Sequence, residues 1–152
     1  MTGRTKQVNQ CPDEMQILAF TVMGVRMGVD TSQIDEMLEV DQAMEQGLLT
    51  FPIHEEFPFG LSKTVYNAPK VVTLKYLQKT LAIMIDQPDE ITDVAVDSIQ
   101  PLPQLVAARR GGSRAIWGAV VRNEGVILLV DLLKLSEHRA ESQSNAQARR
   151  IQ

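Results

Sequence analysis

Between Val71 and Leu135 the apolar positions fall into short runs separated by turn residues. Val71–Tyr76 (VVTLKY), a turn at Leu77-Gln78-Lys79 and Thr80–Asp86 (TLAIMID) read as one strand pair. Arg114–Val121 (RAIWGAVV), the turn Arg122–Gly125 and Val126–Leu135 (VILLVDLLKL) read as a second. Runs this short, rich in Val, Ile and Leu and bounded by turn residues, predict strands rather than helices. Gly125 can adopt the positive φ that a short hairpin loop requires. The run Val126–Val130 has no polar alternation, so both of its faces must meet apolar atoms. A small β-barrel supplies them on one face, and a second lobe or a partner chain on the other.

Upstream, Gln16–Met23 (QILAFTVM) is a strand, Gly24 turns the chain, and Arg26–Val29 begins the return. Asp30, Thr31 or Ser32 offers an N-cap, with Asp35 completing an approximate capping box from Ser32, and Ile34, Met37 and Leu38 recur at helical spacing. The pattern predicts a helix of two or three turns ending before Gly47. The segment 48–69 holds three prolines and one glycine without a clean period. It predicts an extended connector with strand fragments at Leu48–Phe51 and Lys63–Tyr66. A brief strand is expected around Ile91, Val94 and Val96. The predicted organisation is a polar lead-in over 1–13, one domain over 14–135 (a first lobe to about 69, a second from about 70, intertwined) and a polar tail over 136–152.

Composition narrows the function classes. A chain of 152 residues with net charge −4 and 5% aromatic residues is a poor phosphate-backbone binder and a poor base-stacking platform. Arg109, Arg110 and Arg114 form a local basic group that reads as a solvated loop. The single cysteine, Cys11, cannot form an internal disulfide, and its neighbours supply neither a base nor an electropositive setting. No apolar run reaches transmembrane length and no signal peptide is evident, so no membrane insertion and a cytoplasmic location are expected.

The candidate chemistry is sparse. His54 has only Glu55 and Glu56 beside it, and adjacent strand residues point to opposite faces, so no metal is expected there or at His138. Asp86, Asp89, Glu90 and Asp93 lack the glycine and closing glutamate of a calcium loop. No phosphate-binding, dinucleotide or nucleophile-elbow motif occurs, so neither a cofactor nor an enzyme activity is expected. If Leu81, Ile83 and Ile85 face the core, Met84 and Ala82 point outward beside Asp86, an apolar patch with an acidic rim suited to binding a partner.

Three segments, LAFTVMGVRMGVDTSQIDEML, VTLKYLQKTLAIMIDQPDEITDVAVDSIQPLP and IWGAVVRNEGVILLVDLLKL, run in the order found in the CheW-like coupling proteins of bacterial chemotaxis, and the chain resembles that family from about Ile17 to Leu135. The resemblance implies an all-β fold with a short helix, two intertwined SH3-like barrel lobes, and a non-catalytic adaptor that joins a chemoreceptor cytoplasmic tip to the regulatory domain of a histidine kinase. It places Ile34 and Glu36 on a helix facing the receptor groove, Met84, Ile85 and Asp86 at a second-lobe strand end beside that groove, and Asn123–Gly125 at a closing turn. The family's asparagine-leucine-arginine-glycine turn and its two strands are replaced here by the shorter HEEFPFGLSKTVYNAPK, so the first lobe is expected to be reduced. Its open sheet edges predict a homodimer. Two other readings follow: a regulator that binds a kinase or another CheW-like domain without receptors, and a small-molecule sensor using the interlobe groove.

Overall fold

The structure is a computed structural model that describes residues 13–57, 64–102, 115–137 and 139. Its strands are β1 (Glu14–Val22), β2 (Val25–Asp30), β3 (Glu36–Leu38), β4 (Thr50–Pro52), β5 (Pro69–Tyr76), β6 (Lys79–Asp86), β7 (Pro88–Ala95), β8 (Gln100–Pro101), β9 (Ile116–Arg122) and β10 (Gly125–Val130). Helix α1 spans Val40–Glu45 and a second helix, α2, covers residues 132–137. The fold is mostly β, as expected.

Two sheets form. One has the order β7-β1-β2-β10-β9-β8 and the other β3-β5-β6-β4. The first therefore gathers residues 14–30, 88–101 and 116–130, and the second draws only on 36–86. The sheets interleave along the chain, each drawing strands from both sides of position 70. Within the six-stranded sheet the early and late hairpins join through the parallel pair β2–β10, in which Met27 faces Leu128 and Val29 faces Val130.

Strand alternation explains how one chain builds three apolar clusters. On β1, Ile17 points to one face, and Leu18, Phe20 and Val22 to the other. Ile17, Val94, Val120, Ile127 and Leu129 pack together on one face of the six-stranded sheet, which curls around them. The Arg122 guanidinium of β9 donates to the Asp93 carbonyl of β7 across that face, at 3.1 Å. The opposite face of the sheet packs Leu18, Phe20, Val22, Met27 and Val29 against Val72, Leu74, Ile83 and Ile85 of the second sheet. Residues 127–130 thus meet apolar atoms on both sides: Ile127 and Leu129 point inward, Leu128 and Val130 toward the seam between sheets, while Val126 is left exposed. The third cluster, Leu38, Ala43, Val71 and Ala82, lies under α1 on the far side of the small sheet.

The hairpins fall where the turn residues put them. Tyr76 pairs Lys79 and Arg122 pairs Gly125, which has φ 134°. The β5–β6 turn is unusual in that Leu77 (φ 52°) and Gln78 (φ 65°) both occupy the left-handed region, a geometry that favours Asn-Gly. We expect Leu77→Asn with Gln78→Gly to stabilise the protein by about 1–2 kcal/mol, raising the melting temperature by several degrees. An unchanged melting temperature would mean that the leucine and glutamine contacts offset the strain.

Other elements differ from expectation. Thr31–Gln33 is a single 3-10 turn capped by the Asp30 carboxylate, which accepts from the Ser32 N–H at 2.9 Å. Glu36–Leu38 is then a strand, and the helix begins at Val40. The working capping box is Glu39 with Gln42, not Ser32 with Asp35. Residues 64–66 are not a strand. Asp131 ends β10 and caps α2 by accepting from the Leu133 and Lys134 N–H groups, so Leu132–Leu135 is helical, not a strand continuation. The α2 helix also runs through Ser136, which is buried and donates to the Leu132 carbonyl.

Candidate interaction surface

The four-stranded sheet and the turn before it carry the predicted partner-binding residues, and register shows which of them keep accessible surface. Ile34 follows the 3-10 turn in extended backbone and packs, half-buried, against the seam. Glu36 is exposed on β3, in a row with Thr73 and Ala82, and Met84 shares a row with Val71 and Leu38. Glu36 and Met84 therefore point to the helix-covered face, separated by β5. Neither Ile34 nor Glu36 lies on a helix, because the helix starts after them.

Ala82 is not outward-facing: Ala43 and Val40 of α1 cover it, while Met84 remains half-buried beside them. Ile85 is 1% exposed inside the seam. Asp86 is 2% exposed and its carboxylate accepts from the N–H groups of Ala68 (2.7 Å) and Asn67 (3.1 Å), which holds the entry to β5 against the end of β6. Of the five, Ile34, Glu36 and Met84 keep accessible surface, and they do not form one contiguous patch.

Several contacts around the seam had no sequence-level warning. The Gln33 side chain donates to Asp131 Oδ1 (3.0 Å) and accepts from the Leu132 N–H (2.8 Å), tying the turn before Ile34 to the start of α2. Arg139 donates through Nη1 to Glu56 (2.7 Å), lies 3.5 Å from Glu55, and stacks over the Phe51 ring at 4.4 Å. Tail and connector thus meet across the small sheet. On the six-stranded sheet, a register shift between Leu129 and Val130 turns Ile116 into the seam. Trp117, Val121 and Val126 are exposed, on a part of the sheet that the smaller sheet does not cover.

His54 is structural. Its N–H donates to the Tyr66 hydroxyl (3.2 Å), its Nδ1 lies 3.0 Å from the same oxygen, and the rings sit 5.5 Å apart. Burial pushes the Tyr66 hydroxyl above its ordinary value; the His54 N–H works against that, and the charges of Asp86 and Glu55 add to it. A phenol whose folded pKa is raised contributes stability below about pH 10, and that contribution is lost as pH rises through the folded value. We expect alkaline titration to destabilise the protein above about pH 10, with Tyr66→Phe flattening that limb. An identical alkaline limb in the variant would assign it to other groups.

Among the described residues, no group of three or more His, Cys, Asp or Glu side chains is placed to hold a metal, and no helix is long and apolar enough to cross a membrane. Cys11, His138, Phe59 and the basic group at Arg109, Arg110 and Arg114 lie outside the described residues.

Comparison with known proteins fits this architecture. The crystal structure of the scaffolding protein TtCheW from Thermoanaerobacter tengcongensis superposes with a TM-score of 0.63 at 15% identity, over 84% of this chain and 90% of that one. No curated protein sequence matches. The family model of the CheW-like domain matches residues 56–140. That stretch takes in the β5–β6 hairpin, the strands that close the six-stranded sheet and the start of the tail, so the chain is a member of the CheW-like domain family.

Proposed function

We propose that this protein is a non-catalytic adaptor of chemotaxis-type signalling in the cytoplasm, binding a histidine kinase regulatory domain, a chemoreceptor cytoplasmic tip, or both. The observation that carries this reading is where the apolar residues go. They fill three packed clusters and then continue onto exposed sheet surface at Met37, Trp117, Val121 and Val126. Exposed apolar surface next to a packed seam suits a partner better than a substrate. Ile34, Glu36 and Met84 are the proposed contacts, the last two on the helix-covered face of the small sheet and Ile34 beside the seam.

Co-purification with a kinase regulatory domain and, separately, with a receptor tip fragment tests the reading. Met84→Asp is expected to abolish capture while lowering stability by no more than about 1.5 kcal/mol, because the position is half-exposed. Capture of neither partner by the folded wild-type protein would reject the adaptor reading. Unfolding of the variant would reassign Met84 to the core.

The reduced sheet favours a second reading, a regulator that binds a kinase or another CheW-like domain without engaging receptors. Its two edge strands, β3 and β4, are three residues long. Each presents backbone that a second chain can pair, so we also propose a homodimer through this sheet. Sedimentation equilibrium showing only monomer at about tens of micromolar would exclude that dimer.

A further inference from the structure

At the hairpin end of the small sheet, a groove of about 430 Å³ opens between β4, the β5–β6 turn and the C-terminal helix. Phe51, Leu81 and Tyr76 line it together with Leu49 and Leu77, which are 84% and 74% exposed. None of the proposed contacts Ile34, Glu36 and Met84 lies on this groove. We propose that it is a second docking site, and that its occupant is an acidic protein segment carrying a bulky apolar side chain flanked by carboxylates.

Two independent observations support this. The first is charge. The protein carries a net charge of −4, yet among the described residues the charged side chains lining the groove are Lys79 and Arg139. Lys79 pairs with no carboxylate among the described residues. Arg139 is paired with Glu56, lies 3.5 Å from Glu55 and stacks on the Phe51 ring, so its charge is already offset and it forms an ordered wall, which leaves Lys79 as the cation that meets a partner's carboxylate. The second is backbone. Leu77 sits in the left-handed region, where leucine is costly, and presents its side chain to water at the mouth of the groove. Strain retained at an exposed apolar residue is characteristic of a ligand clamp. Leu49 stands as the second exposed apolar lining residue. Apolar walls with cations among them fit a protein anchor between carboxylates. They do not fit a phosphate backbone, which needs a broad basic field.

Fluorescence anisotropy with a labelled peptide tests the site, using one peptide in which Leu and Phe alternate with Asp and Glu and a counterpart with Lys at every acidic position. The acidic peptide is expected to bind the full chain and the lysine peptide not to bind. Leu49→Asp and Lys79→Glu are each expected to weaken binding about tenfold, the scale of losing one interface anchor, with circular dichroism unchanged because both side chains are exposed. Equal binding of the two peptides, binding unaffected by either substitution, or no binding up to about 1 mM overturns the proposal. Kinase-domain or receptor-tip capture by the wild-type protein, with neither peptide bound, would reject the groove and leave the adaptor reading intact.

Discussion

Asp86→Ala is expected to lower the melting temperature by about 10 °C, corresponding to roughly 3 kcal/mol, without the involvement of any partner. The carboxylate is buried and accepts from two successive backbone amides, those of Asn67 and Ala68, with the Gln87 side-chain amide 3.2 Å from the same group. Hydrogen bonds from N–H groups to an ionised acceptor are worth about 1.5 kcal/mol or more each. Alanine leaves both amides without an acceptor at the point where the chain enters β5. Asp86→Asn should fall between the two proteins, since its oxygen can serve one amide while its own N–H₂ confronts the other. Retention of the melting temperature with loss of partner capture would instead make Asp86 a contact residue.

Gly28→Ala is the other large effect, expected to cost about 3 kcal/mol. Gly28 lies in the middle of β2 with its missing side chain directed into the curled sheet. A Cβ there would come within 2.5 Å of Ile17 Cγ2 and 3.0 Å of Ile127 Cγ2. Both methyls branch at Cβ and cannot rotate away without leaving their rotamer wells. Ile17→Leu removes the offending branch at conserved volume, so the double variant should recover much of the loss. A neutral Gly28→Ala would mean that the interior is looser than the distances indicate.

The legible parts of this fold were those written in local patterns. Turn residues placed all three predicted hairpins, and the alternation Leu81, Ile83, Ile85 identified the seam-facing side of β6. The helix was misplaced because Ile34, Met37 and Leu38 satisfy a helical period by coincidence. Three strand residues are too few to show their own period, and the Glu39–Gln42 box that starts the real helix lay just beyond them. Asp131 was the unread signal after β10: an Asp before an apolar run caps a helix as readily as it ends a strand. The interleaving of the sheets was legible only through the family resemblance, because the parallel pairing of β2 with β10 is fixed by burial across about a hundred residues and leaves no trace in either segment. The burial of Asp86 was illegible for a related reason. Its partners are backbone amides, which no sequence displays. Arg139 lay in a stretch read as tail, and its three partners, Phe51, Glu55 and Glu56, come from a connector that showed no period.

Next to the inward-turned Ile116, the molecule carries a spectroscopic reporter. Trp117 is the only tryptophan in the chain and is 41% exposed on the uncovered part of the six-stranded sheet. Its indole emission therefore comes from one known place. A partner that covers that surface will shift the emission to shorter wavelength, and one that docks elsewhere will leave the spectrum unchanged. Unlabelled protein can thus sort its own partners by the face they occupy.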